Sequence, residues 1–293
     1  VQQAPDANPA GQAATTGERA TKKQTTGNQN GGNAEPPRAS ATVDTAKTTA
    51  ESGGAKHTPV SLSRGVEMAK EGKIVRARRL LTRIYLQGSP ASRRRAREKL
   101  REINEKLIFN PRVTKGATIH TVKAGETLGK IGQKYGVDWR MIQRLNGIER
   151  PSLIRIGQKL KILTGPCTVV VDKSDFRLAL LIDGMFIREY PVGLGKNDKT
   201  PTGTFEVEET LIEPDWYPPE GGIIKYGEKG HLIGNRWIGL SDQPGASGYG
   251  IHGTSDPESI GTLCSNGCIR MRNDDVKELY DFVRPGTTVK IVE

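Results

Sequence analysis

At 293 residues the chain is longer than one core usually needs, yet only 34% of it is hydrophobic and 5% aromatic, with 35 Gly and 17 Pro. That balance argues against one fold spanning the whole length and leaves part of the chain short of the apolar area folding requires. Apolar runs such as 168–171 and 178–182 are far below the roughly eighteen residues of a membrane helix, so the chain is not expected to span a bilayer. The formal charge of +11 is concentrated: 57–112 holds 15 basic and 5 acidic residues. No RNP-type aromatic motif, CxxC pair or P-loop accompanies that stretch, so nucleic acid is not an expected partner. A solvated basic face fits it, and 64–106 would be drawn equally to an anionic wall or membrane surface.

The chain opens on Val1 rather than Met, as it would after removal of a signal peptide or anchor. Residues 1–57 are dominated by Gln, Ala, Thr, Gly, Asn and Ser, with Val1 and Val43 as the larger aliphatics up to residue 55. Such a composition cannot offset the entropy of ordering, which predicts a disordered tether with an end-to-end distance of roughly 40 Å. From Ser61, Val66, Met68 and Ala69, then Ile74, Ala77, Leu80, Leu81, Ile84 and Tyr85, recur at helical spacing, with Gly72 as a break. A second break at Gln87-Gly88-Ser89-Pro90 precedes a helix over 91–109. Its first turns carry Arg93, Arg94, Arg95 and Arg97, where positive charge opposes the helix macrodipole. A basic helical hairpin over 58–112 is expected, faintly similar to one tetratricopeptide-type unit.

Asn110-Pro111 ends the helices, and 118–122 alternates as a strand. Leu128, Ile131 and Tyr135 follow at helical spacing and stop at Gly136; Trp139, Ile142 and Leu145 form a second helix stopped by Asn146-Gly147; 156–163 returns as a strand. This βααβ unit over 118–164 resembles a LysM module in His120 to Leu128, Leu145-Asn146-Gly147 and Ile156-Gly157-Gln158-Lys159-Leu160. The resemblance implies binding of N-acetylglucosamine-containing glycan strands, peptidoglycan above all, near Gly125, Thr127, Leu128 and Ile154. Read as residues alone, Leu128, Ile131 and Ile142 are core, Gly125 is a turn residue and His120 a strand residue.

From Cys167 to Glu293 the sequence predicts a β-rich domain, with strands at 168–172, 178–182, 186–192, 203–208, 237–240, 250–252 and 289–292. One helix follows Asn273 as its N-cap. Two segments here could carry nucleophilic chemistry: Tyr249-Gly250-Ile251-His252-Gly253-Thr254 and Ser265-Asn266-Gly267-Cys268-Ile269-Arg270-Met271. Cys268 supplies a thiol, and His252, 16 positions upstream, a proton acceptor whose imidazolium would lower the thiol pKa. The amides of Gly267 and Cys268 could face a developing oxyanion.

These two segments, with Asn197-Asp198-Lys199-Thr200-Pro201-Thr202-Gly203-Thr204-Phe205 and Leu232-Ile233-Gly234-Asn235-Arg236-Trp237, closely resemble the YkuD-type L,D-transpeptidase catalytic domain. The overall expectation is a multidomain α+β protein of disordered tail, helical hairpin, LysM module and β-rich catalytic domain. The resemblance implies a cysteine acyltransferase of the cell envelope that needs no metal or cofactor. Cys268 would attack the carbonyl before D-Ala of a peptidoglycan stem peptide, and an amine from a second stem would take the acyl group, giving 3-3 cross-links. It also implies acylation of Cys268 by a carbapenem. His252 would be base and acid, the Gly253 carbonyl would orient its ring, and Arg270 would brace the site or meet a substrate carboxylate. Asn266 stands where the commonest family motif has His. Ser265, Asn266, Tyr249 and Trp216 are expected against substrate, Trp216-Tyr217-Pro218-Pro219 serving as a lid or packing on its own domain. An L,D-carboxypeptidase and a non-catalytic wall-binding scaffold remain alternatives, and the oligomeric state is open. His231 reads as structural. Three cysteines fit one reactive thiol plus a Cys167–Cys264 bridge, although Cys264 reads equally as a small buried hydrophobe. Cys264, Cys268, His252 and His231 match no common zinc spacing.

Overall fold

The computed structural model describes residues 61–111 and 118–293; the tether expected over 1–57 lies outside the described residues. Three helices come first: α1 (Leu62–Lys70), α2 (Ile74–Gln87) and α3 (Pro90–Leu107). The break read at Gly72 does separate two helices, so with α3 the region holds three and not the two of a hairpin; Ser61 caps α1 by accepting from the Arg64 amide, and Gly72 turns the chain into α2. Leu81, Ile84 and Tyr85 of α2 and Ala96, Leu100 and Ile103 of α3 form an apolar cluster that continues into Ala179, Leu181 and Phe186 of the C-terminal sheet. Leu81, Leu100 and Phe186 are at most 1% exposed, and each such side chain contributes about 1.5–3 kcal/mol by burial.

A two-stranded antiparallel unit follows, in which β1 (Thr118–Thr121) pairs with β2 (Lys159–Ile162) across α4 (Leu128–Tyr135) and α5 (Trp139–Leu145). Thr127 and Asp138 cap the two helices through their side-chain oxygens, and Gly136 ends α4 at φ 65°. Asn146 ties α5 to β2 by accepting from the Lys161 amide and donating to the Lys161 carbonyl. Lys161 itself is 1% exposed and reaches the carbonyls of Leu107 and Asn110 at the end of α3, where a cation complements the helix terminus. His120 does more than fill a strand: its Nε2 meets Glu126 at 2.7 Å and ties the strand to the following turn.

The C-terminal part comprises β3 (Cys167–Asp172), β4 (Arg177–Ile182), β5 (Met185–Pro191), β6 (Leu194–Gly195), β7 (Gly203–Ile212), β8 (Arg236–Leu240), β9 (Gly250–His252), β10 (Leu263–Ser265), β11 (Ile269–Arg270), α6 (Asn273–Tyr280) and β12 (Thr288–Val292). Eight strands form one sheet in the order β11-β9-β8-β7-β12-β3-β4-β5, while β6 and β10 pair in parallel beside it. The apolar run of β4 reflects burial on both faces. Leu178, Leu180 and Ile182 enter the main core, whereas Ala179 and Leu181 meet the helices.

Part of the arginine cluster serves this docking rather than an outside surface. Arg93 pairs with Asp172 and Asp175, and Arg97 with Glu189 at 2.9 Å. Arg78 and Asn104 donate to the Phe186 carbonyl, Asn104 also to that of Ile187. The α4–α5 unit is joined to the sheet domain by Arg144, whose Nη2 lies 2.7 Å from Asp281, and the segment after α3 meets the same domain through the edge-on contact of Phe109 with Phe282. The expected Cys167–Cys264 bridge is corrected: both thiols are free, Cys167 lying on β3 inside the large sheet and Cys264 on β10 in the separate pair.

Candidate active site

His252 ends β9, registered with Trp237 on β8 and with Arg270 on β11. Residues in register share a face, so Trp237, His252 and Arg270 form a row across three strands. The Trp237 indole stacks on the imidazole with centroids 5.8 Å apart and planes at 22°. Gly250 makes room for that indole: a Cβ there would stand 2.5 Å from it. Cys268 precedes Arg270 by two residues and falls on the same side, so the sulfur and the imidazole line one cleft of about 470 Å³.

The turn carrying Cys268 is held from beneath. The Ser265 hydroxyl accepts from the Gly267 amide at 3.1 Å and donates to the Cys268 carbonyl at 2.7 Å. The Thr200 hydroxyl accepts from the Gly195 amide at 2.7 Å and donates to the Gly267 carbonyl at 2.8 Å. Gly267 sits at φ 133°, and a Cβ there would come within 2.3 Å of the Tyr249 ring. Only glycine meets both demands.

The His252 Nδ1 lies 2.6 Å from the Gly253 carbonyl oxygen, which can only accept. The proton is therefore on Nδ1, and Nε2 keeps its lone pair. Burial, with the Arg270 charge, holds the imidazole down to about 4 against the Gly253 carbonyl, which acts the other way. Burial also pushes the Cys268 thiol up, against the Gly250 amide and Arg270, which favour the thiolate. This departs from the expected imidazolium beside a lowered thiol. Desolvation disfavours both charged forms, so the resting pair at neutral pH is imidazole and thiol.

Cys268, His252, Arg270, Ser265, Asn266, Tyr249 and Trp216 all line the cleft, whereas Gly253 and Gly267 shape the backbone behind it. Trp216 and Tyr217 form part of its wall, with Tyr217 68% exposed. His231 is buried, its Nε2 2.8 Å from the Pro214 carbonyl beneath that wall. Sequence reasoning missed the Trp237 stack, and it assigned Asn273 to a cap. The Asn273 side chain instead accepts from the Thr254 amide and donates to the Thr254 carbonyl, fixing the loop after His252. Among the described residues no three His, Cys, Asp or Glu side chains come together as metal ligands.

Of the expected glycan-contact residues, Thr127 and Leu128 line a cleft of about 320 Å³ with Trp139, Pro151 and Ser152. Gly125, at a φ 74° turn, and Ile154, packed on the core, are not in its lining. Leu128 is 1% exposed, as its core reading anticipates.

Two family models match the chain: an L,D-transpeptidase catalytic domain (YkuD) over 167–291 and a LysM domain over 120–163. The chain is 40% identical over 134 residues to the candidate L,D-transpeptidase YqjB of Bacillus subtilis, covering 45% of this chain and 74% of YqjB. It is 33% identical over 182 residues to the candidate L,D-transpeptidase YkuD of the same species, covering 59% of this chain and 97% of YkuD. The solved L,D-transpeptidase from Mycobacterium smegmatis is similar with a TM-score of 0.35 and 23% identity, over 47% of this chain and 65% of that one.

Proposed function

The chain belongs to the L,D-transpeptidase family, and on that premise we propose that it cross-links peptidoglycan stem peptides outside the cytoplasm through an acyl-enzyme on Cys268, held at the wall by its LysM module. In this reading Cys268 Sγ attacks the carbonyl between the third residue and D-Ala. The thiol proton passes to His252 Nε2 as the S–C bond forms, and the imidazolium returns it to the departing D-Ala amine. The second stem's amine then attacks the thioester, giving up its proton to His252 and restoring the thiol. One contact carries the proposal: the 2.6 Å bond from His252 Nδ1 to the Gly253 carbonyl, which leaves a neutral Nε2 in the cleft that holds the sulfur.

Because the Gly267 amide is engaged with Ser265, the oxyanion donor is the Cys268 amide, which has no partner among the described residues. Arg270 Nε is buried without a partner, which supports a guanidinium aimed at a substrate carboxylate. Asn266, Tyr249 and Trp216 flank the bound peptide. Thr127 and Leu128, with Trp139, contact the glycan strand, and Gly125 and Ile154 shape the loops around it. The exposed cations of 64–106 face anionic wall or membrane material. Mass spectrometry after exposure to a carbapenem tests the nucleophile: an adduct on the wild type that is absent in Cys268→Ser is expected, and an unmodified wild type refutes it. Sacculi treated with the enzyme should yield 3-3 linked dimers on digestion; trimmed tripeptides alone would make it a carboxypeptidase.

A further inference from the structure

Trp139, the first residue of α5, is shared by two clefts. On one side lies the groove containing Thr127 and Leu128; on the other, a cleft of about 490 Å³ opens in the seam between α5 and the catalytic domain's β8 and α6. The seam cleft is lined by four cations, Arg140, Arg144, Arg236 and Lys277, against one carboxylate, Asp281. Arg144 takes up Asp281, and Arg140 reaches Asp138 at 3.3 Å. Arg236 and Lys277 have no carboxylate within 4.0 Å among the described residues.

Arg236 is also held in place. Its guanidinium lies 5.3 Å from the Tyr280 ring centroid, with Arg140 5.6 Å from the same ring, and its Nη1 donates to the Asn235 carbonyl. Its Nε is buried with no hydrogen-bond partner. A solvated basic face does not bury a donor and leave it unmatched, because that costs free energy unless an acceptor arrives. A fixed, partly desolvated guanidinium suits a planar carboxylate.

Resting on the reading of the LysM module as a wall-glycan binder, we propose that this seam cleft binds a free carboxylate of a stem peptide carried by the glycan whose sugar occupies the adjoining groove. The two clefts are then one bipartite site pivoting on Trp139, and the protein prefers peptide-bearing glycan to bare glycan. Peptidoglycan peptides hang from alternate sugars of the strand, so in this reading a sugar against Trp139, which lines both clefts, has a neighbouring peptide on the side of the seam.

Calorimetric titration of the full chain with two probes tests this: a neutral N-acetylglucosamine oligosaccharide and a peptidoglycan tetrasaccharide with intact stem peptides. The wild type should bind the peptide-bearing probe about tenfold more tightly. Arg236→Gln and Lys277→Gln should each erode that preference and leave affinity for the neutral probe unchanged. Lys277 is exposed, so its replacement keeps the test valid if Arg236→Gln fails to fold. Equal affinity of the wild type for both probes overturns the seam proposal alone, as does a preference that both variants retain. Failure of the wild type to bind either probe overturns the glycan-binding reading with it. Binding of a glycerol phosphate polymer that the same variants abolish, without any preference for peptide, would reassign the cleft to phosphodiester.

Discussion

His252 offers a direct measure of how far burial controls the pair proposed to carry the chemistry. Desolvation, the leading cause, holds the imidazole down to about 4 in the fold, against an ordinary value of about 6.5. Between those values the unfolded chain binds a proton that the native protein does not, so stability rises with pH across this window and is lost on acidification. The full span is worth about 3 kcal/mol, of which about 2.5 kcal/mol is already lost by about pH 4.5 relative to about pH 7.5. The perturbation is His252→Gln, which retains a donor for the Gly253 carbonyl but cannot titrate. Urea unfolding of both proteins at the two pH values isolates the His252 contribution, because half-buried carboxylates such as Asp275 and Asp281, whose pKa values are raised by burial, occur in both and cancel. Wild type should lose about 2.5 kcal/mol more than the variant. Parallel losses, within about 0.5 kcal/mol, would mean that His252 is not held neutral by the fold, and the neutral-pair mechanism would go with it.

The glycine before Cys268 should tolerate no side chain: Gly267→Ala forces a Cβ to 2.3 Å from the Tyr249 ring at φ 133°, costing about 2–4 kcal/mol. Its melting temperature should fall and carbapenem acylation of Cys268 should collapse; retention of both would refute the turn argument. Thr200→Val strips the hydroxyl from the Gly195 amide and the Gly267 carbonyl, for about 2 kcal/mol, and should slow acylation, whereas Thr200→Ser should rescue the rate. Asn104→Leu removes the side-chain donor to the Ile187 carbonyl and leaves the Phe186 carbonyl with Arg78 alone, and should lower stability by about 2 kcal/mol in denaturant. Its acylation rate per folded molecule should match wild type, since α3 lies away from the cleft.

Elements with a strong local pattern were legible in the sequence. The β4 run, the Leu128–Ile131 helix face and the Gly136 stop each emerge where periodicity or turn chemistry predicts them. His252 and Cys268 were legible because their neighbours form extended motifs. The short strands β6, β10 and β11, of two or three residues each, are too brief to show alternation and exist only through distant partners. Asn273 looked like a cap for the same reason: nothing in its own segment reveals that the loop at Thr254 claims its side chain. The charge state of the His252 and Cys268 pair was not legible because adjacency of Cys and His argues for an ion pair, while desolvation, the leading cause of both shifts, depends on packing around the two side chains. The seam cleft beside Trp139 was invisible because it needs two modules to exist.

The basic excess of the helical region illustrates how one composition divides between fold and surface. Arg78, Arg93 and Arg97 point inward to Phe186, Asp172 and Glu189, so their charges belong to the union of helices and sheet. Arg76, Arg79 and Arg83 recur at three- and four-residue spacing on the exposed side of α2, with Val75 53% and Leu86 41% exposed beside them. The inward set fixes the orientation of the outward set relative to the catalytic domain, since α2 and α3 cannot tilt without breaking buried contacts to β5. Attraction to an anionic surface through that stripe would therefore orient the whole catalytic body. A reagent that discharges only Arg76, Arg79 and Arg83, such as their replacement by Gln, should weaken retention on anionic surfaces with rising salt and leave stability nearly unchanged. Neutralising Arg93 or Arg97 should do the reverse, lowering stability first, because Asp172 or Glu189, both largely buried, loses its closest cation.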